Sequence, residues 1–87
     1  MKINEILFSD EITLWWDKEW DFPDGIFYRA CLDGEKTIRT QKTHVSFLDL
    51  APDTDYSITL VREVADGKDA LIDTLTLHTP KAKNVLT

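Results

Sequence analysis

Apolar and polar side chains alternate along most of this chain, and the 3.6-residue spacing of a helix is scarce. Residues 12–16 place Ile12, Leu14 and Trp16 on one face and Trp15 on the other. Residues 26–32 repeat the pattern, with Ile26, Tyr28, Ala30 and Leu32 set against Phe27, Arg29 and Cys31. A short run at 44–47 turns Val45 and Phe47 inward. Runs at 56–62 and 74–79 do the same with Ile58, Leu60, Leu75 and Leu77. Two weaker segments, 3–8 and 36–40, complete a count of about seven short strands rich in β-branched and aromatic residues.

The residues between these runs are turn formers. Phe22-Pro23-Asp24-Gly25, Asp33-Gly34, Ala51-Pro52-Asp53 and Asp66-Gly67 each separate two strands. Asp33-Gly34 is the strongest hairpin signal, because both central positions of a type I′ turn need positive φ. Seven strands at this spacing predict an all-β fold, a seven-stranded antiparallel β-sandwich.

One segment says more than alternation does. Leu50-Ala51-Pro52-Asp53-Thr54-Asp55-Tyr56 resembles the L-x-P-x-T-x-Y signature of fibronectin type III domains. In that family the tyrosine opens a strand and bonds back to upstream backbone as a tyrosine corner. The resemblance implies that Tyr56 does so here, that Pro52 and Asp53 make the corner, and that Leu50 plugs the core beneath it. Trp16 looks like the family's core tryptophan, residues 28–34 like the strand that faces it, and residues 75–80, ending in Thr79-Pro80, like its last strand. The likeness runs from about Glu11 to Pro80. It departs from the family at the start, where 3–8 lacks a leading proline, and at Arg62, where a small residue is usual. An arginine at that position must reach the sandwich end or pair with an acid, since an unpaired buried charge is costly. The loop from Asp17 to Gly25 is acidic and aromatic rather than proline-rich.

Composition narrows the function. At 87 residues the chain fits one domain. A net charge of −6 with no basic stripe argues against a nucleic-acid-binding surface. A single cysteine, Cys31, excludes an internal disulfide, a thiolate zinc cluster and a redox pair. It reads as an outward-facing thiol with Arg29 as its nearest cation in sequence. His44 and His78 lack metal-site spacing, and no cofactor or metal motif is present. No run approaches the length needed to span a membrane. Only Ile6 to Phe8 are consecutively apolar at the start, which is not a signal-peptide pattern and implies a cytoplasmic protein if Met1 is the native start. Residues 1–80 hold 8 basic and 16 acidic side chains and 81–87 hold two lysines, so charge passes from −8 to +2 just after Pro80. That shift predicts a sandwich over 1–80 and a linker from 81 toward a following domain.

No catalytic constellation emerges. Ser57 and His78 fall on outward faces of neighbouring strands, where a contact is geometrically open, yet a wet sheet face explains both. Asp17, Glu19, Asp21 and Asp24 crowd one loop, but Trp20 and Phe22 interrupt any calcium pattern and Tyr28 stands where a bidentate glutamate belongs. The aromatics are more informative: six of nine lie between Trp15 and Tyr28. Trp16 and Tyr28 point inward. Trp15, Trp20, Phe22 and Phe27 are the candidate interface, with Trp20 and Phe22 either capping the sandwich end or meeting a partner.

The resemblance reaches the fibronectin type III modules appended to bacterial polysaccharide-degrading enzymes. It implies a non-catalytic accessory or spacer module, monomeric in isolation. Such a module sits N-terminal to a glycoside hydrolase catalytic domain of the polygalacturonase kind and packs against it. The alternative is a stand-alone module that binds a protein or polysaccharide through the aromatic loop. The strand register makes its own prediction: in urea unfolding, Trp16→Ala lowers stability by about 3–5 kcal/mol, the range for deleting a buried tryptophan. Trp15→Ala costs less, and the reverse order would place the strand one residue out of register.

Overall fold

Seven strands form, six of them close to where the alternation places them. A computed structural model describes residues 2–17, 26–63 and 69–82. The strands are β1 (Ile3–Leu7), β2 (Ile12–Trp16), β3 (Tyr28–Leu32), β4 (Lys36–Thr40), β5 (His44–Phe47), β6 (Asp55–Arg62) and β7 (Ala70–His78). They divide into a three-stranded sheet, β1-β2-β5, and a four-stranded sheet, β4-β3-β6-β7, with every pairing antiparallel. The candidate turns Asp66-Gly67 and Phe22-Pro23-Asp24-Gly25, with the rest of the acidic loop after Asp17, lie outside the described residues.

Each sheet buries one face against the other. From the three-stranded sheet come Ile12, Leu14 and Trp16 of β2 with Val45 and Phe47 of β5. From the four-stranded sheet come Tyr28, Ala30 and Leu32 of β3, Ile58 and Leu60 of β6, and Leu77 of β7. Trp16 and Tyr28 meet across the gap between sheets with ring centroids 5.1 Å apart and planes at 64°, the edge-on arrangement that aromatic quadrupoles favour.

Local chemistry sets the turns. Leu32 and Glu35 close a turn through a 2.9 Å backbone bond, with φ of 50° at Asp33 and 72° at Gly34. Asp33 also extends the ladder to β6. Its N–H donates to the Ser57 carbonyl at 2.7 Å, and its carboxylate accepts from the Ser57 N–H at 2.7 Å. The side chain thus takes the place of a strand carbonyl just where the backbone turns away.

β7 is longer than its sequence pattern predicts, starting at Ala70 rather than near 74. The cause is a bulge. Cross-strand partners run Leu60↔Asp73 and then Val61↔Leu71, which leaves Ile72 as the extra residue. Inward positions therefore switch parity, from Ala70 and Ile72 before the bulge to Leu75 and Leu77 after it. A strict period of two loses the strand at that point.

The chain changes sheet three times, from β2 to β3, from β4 to β5 and from β5 to β6, and the last of these passages is held by side chains. The Tyr56 hydroxyl accepts from the Ala51 N–H at 2.8 Å. The Thr79 hydroxyl donates to the Ala51 carbonyl at 2.7 Å and accepts from the Thr54 N–H at 3.0 Å. The Thr79 N–H donates to the Thr54 carbonyl at 2.9 Å, and the Asp53 N–H to the Pro80 carbonyl at 3.1 Å. Asp49 and Asp53 both take positive φ, 58° and 50°, which aspartate tolerates better than most residues. Leu50 is tied to the β1–β2 turn by its N–H to the Asp10 carbonyl and turns its side chain into the core.

Thr79 is the one fully buried polar side chain among the described residues. Thr79→Val keeps its shape but leaves two part-buried backbone groups, the Ala51 carbonyl and the Thr54 N–H, without that partner, so it lowers stability by about 1–3 kcal/mol in denaturant unfolding. Tyr56→Phe, at a site water can reach, costs less, about 0.5–1.5 kcal/mol. Equal losses would mean that the buried hydroxyl matters no more than the exposed one.

Candidate functional site

The two outer faces differ sharply. On the four-stranded sheet the outer face is charged. Arg29 and Arg39 stand directly opposite each other on β3 and β4. Glu63 relieves their repulsion: Arg39 donates to its carboxylate through Nε at 2.8 Å and through the guanidinium NH2 at 2.9 Å, while Arg29 Nε lies 3.5 Å away. Arg29 also pairs with Asp69. The hydrogen bonds from Arg39 hold the Glu63 carboxyl below the usual carboxylate range. Phe27 lies under this network, with the Arg39 guanidinium carbon 3.4 Å from its ring centroid, a cation–π stack. Arg62 is half-buried at the end of β6, in register with Tyr28 and Ala70. Cys31 is half-buried between Thr37 and Thr59 in the cross-strand row.

At the far end of the same sheet His78 stands across from Asp55. Its Nδ1 is 2.7 Å from an Asp55 carboxylate oxygen and its Nε2 is 2.8 Å from one of Asp53. Ser57 is not a partner of this ring: it faces Thr76, and its N–H is taken by Asp33. Both nitrogens can donate at once only in the imidazolium. The hydrogen bonds to Asp55 and Asp53 accordingly raise the His78 pKa above the ordinary 6.5.

The outer face of the three-stranded sheet is of another kind. Its register stacks three rows across β1, β2 and β5. Asn4, Trp15 and His44 form the first, and Ile6, Thr13 and Ser46 the second. The third continues the alternation one residue past the strands, with Phe8 paired to Glu11 by backbone and Leu48 following Phe47. Ile6, Phe8, Trp15 and Leu48 are 44%, 51%, 37% and 56% exposed. They are four of the five large apolar side chains exposed among the described residues; the fifth, Leu71, belongs to the other sheet. Sequence reasoning singled out Trp15 here and missed its three neighbours. Apolar and polar residues occur at both parities of β1, Ile3 and Leu7 with Glu5 and Ile6 with Asn4, so parity alone does not assign Ile6 outward. Beside Phe8 an open groove of about 350 Å³ is lined by Leu7, Phe8, Ser9, Asp10, Pro80 and Lys81.

Of the other candidate interface residues, Trp20 and Phe22 lie outside the described residues, as do Glu19, Asp21 and Asp24. Pro52 is exposed at the corner that Tyr56 closes. Among the described residues no group of three or more His, Cys, Asp or Glu side chains is placed to hold a metal ion.

The fold is that of fibronectin type III. The fibronectin type III domain of human fibronectin type III domain containing protein 3 superimposes with a TM-score of 0.71 at 16% identity, over 93% of this chain and 85% of that one. A fibronectin type III domain of human contactin 1 gives 0.67 at 20% identity, over 99% of this chain and 80% of that one. A chitinase from Bacillus thuringiensis gives 0.70 at 23% identity, over 88% of this chain but only 13% of the enzyme. No family model and no curated protein matches the sequence.

The His78 contact has a defined pH dependence. Its stabilising effect is full below the unfolded-state value, 6.5, and is lost as pH rises through the elevated folded-state value. In an NMR titration the His78 ring titrates above that ordinary value, and Asp53→Asn with Asp55→Asn brings it back down. A ring that titrates at the ordinary value in the unaltered protein contradicts the contact.

Proposed function

We propose that this chain is a non-catalytic accessory module of a larger bacterial carbohydrate-active enzyme, a glycoside hydrolase, and that it packs against that enzyme's catalytic domain. The observation that carries this reading is the likeness to the chitinase. There the match to a sandwich of this shape covers 13% of a chitinase chain, so it spans a small part of a polysaccharide-degrading protein. The fold supports it by analogy, because sandwiches of this class mostly space, dock or bind. The disposition of polar side chains agrees. His78 is engaged with Asp53 and Asp55, and Arg39 with Glu63, in two separate clusters at an open sheet face, and a flat wet face does not exclude water from a reaction. A polygalacturonase as the particular catalytic partner draws no support from these likenesses, so the proposal stays at the level of a glycoside hydrolase.

Removal tests the reading. In the source polypeptide, deleting residues 1–80 leaves turnover of a soluble oligosaccharide within about twofold, since the module contributes no reacting group. The same deletion lowers the temperature at which the catalytic domain unfolds. The 87-residue chain alone releases no reducing sugar from chitin or polygalacturonate. Hydrolysis by the isolated chain, or a source polypeptide without a second domain, defeats the proposal.

A further inference from the structure

We propose that the outer face of the three-stranded sheet, centred on Ile6, Phe8, Trp15 and Leu48, is the docking surface through which the module seats on an apolar face of a neighbouring domain in the same polypeptide. This rests on the accessory-module reading above and adds which surface is used.

The first argument is composition. The three rows of this face present nine side chains, and Glu11 is the one carboxylate or permanent cation among them, with Lys2 and Asp17 at its border one row beyond Asn4 and Trp15, in a chain that is 30% charged. The other sheet's outer face carries Arg29, Arg39, Glu63, Asp55 and His78. Depletion of charge with enrichment of aromatic and aliphatic groups marks the core of an interface. Large apolar side chains left half-exposed together on one side of a small sandwich mark a surface that something covers.

The second argument concerns the polar groups that remain. Thr13 donates to the Glu11 carboxylate at 3.0 Å, and its hydroxyl lies 2.8 Å from that of Ser46. The Asn4 amide reaches the Trp15 carbonyl at 3.5 Å. A side chain already bonded to its neighbours loses fewer contacts with water when the face is covered, so the desolvation cost of docking is low. This face is therefore ready for an apolar partner, whereas covering the Arg29–Arg39–Glu63 face would strip water from charges.

Size selects the occupant. Three strands about 4.8 Å apart and about five residues long span roughly 250 Å². A free partner, including a second copy of this chain, needs about 800 Å² on each side for a stable complex. A domain joined by a linker meets the face at millimolar effective concentration, and there a small apolar contact is enough. The aliphatic share of the face, Ile6 and Leu48, suits a protein surface better than sugar rings, which stack on aromatic planes.

Footprinting with photogenerated carbenes tests the surface in the source polypeptide against the 87-residue chain. In the longer protein, labelling of Ile6, Phe8, Trp15 and Leu48 falls by roughly fivefold, as for side chains passing from half-exposed to an interface core. Leu71, on the opposite sheet, labels equally in both. The exposed double variant Phe8→Lys and Leu48→Lys restores labelling of Trp15 in the longer protein while its circular dichroism is unchanged. Equal labelling of the face in both proteins overturns the inference. So does protection already present in the 87-residue chain with a dimeric mass in sedimentation, or protection that appears only when chitin oligosaccharide is added. A source polypeptide with no second domain fails the accessory-module reading itself. A second domain that leaves this face labelled fails only the docking surface.

Discussion

The constraint on which this sandwich depends is the crossing from β5 to β6. Two sheets can bury their apolar faces together only if the chain passes between them without leaving backbone groups dry and unbonded. Here Ala51 is held from both sides, its N–H by the Tyr56 hydroxyl and its carbonyl by the Thr79 hydroxyl. Thr79 comes from the end of β7, so the last strand secures a corner made nearly thirty residues earlier. The same hydroxyl takes the Thr54 N–H, and Asp53 reaches the Pro80 carbonyl. Leu50 drops into the core from this corner, and His78 lies just outside it between two aspartates. The core on one side and the charged surface on the other are thus registered by the same few bonds.

From that corner the two outer faces diverge. The four-stranded sheet carries arginines and acids that neutralise one another across strands. Phe27 lies beneath Arg39 and is withdrawn from the surface by that stack. The three-stranded sheet carries aliphatic and aromatic side chains with a short chain of mutually bonded polar groups. On the proposed docking, the charged face meets water and the apolar face meets the neighbouring domain. Fibronectin type III sandwiches in proteins as different as a chitinase and contactin share the fold, so any difference in role has to come from such surfaces.

The interior was legible in the amino-acid sequence. Alternation in residues 12–16 and 28–32 assigned Trp16, Tyr28 and their neighbours to the core, because a strand with one wet face leaves a period of two. Asp33-Gly34 announced its turn because few other residues accept positive φ at both positions. The segment from Leu50 to Tyr56 carried enough local chemistry to indicate the corner and the fold. The start of β7 was not legible: the bulge at Ile72 breaks the parity that reveals a strand, and its cause is a pairing with β6.

The candidate surface was legible only in part, for a related reason. The sequence determined which residues alternate inward and so the sandwich itself, since burial periodicity is a local property. It could mark Trp15 and Phe27 as outward but not tell them apart. Tertiary structure decided that Phe27 is covered by an arginine from the next strand, whereas Trp15 shares its sheet face with Ile6, Phe8 and Leu48. Those neighbours come from two other stretches of chain. Which side chains share a face is fixed by strand order and register, and these follow from long-range pairing rather than from any pattern within one strand.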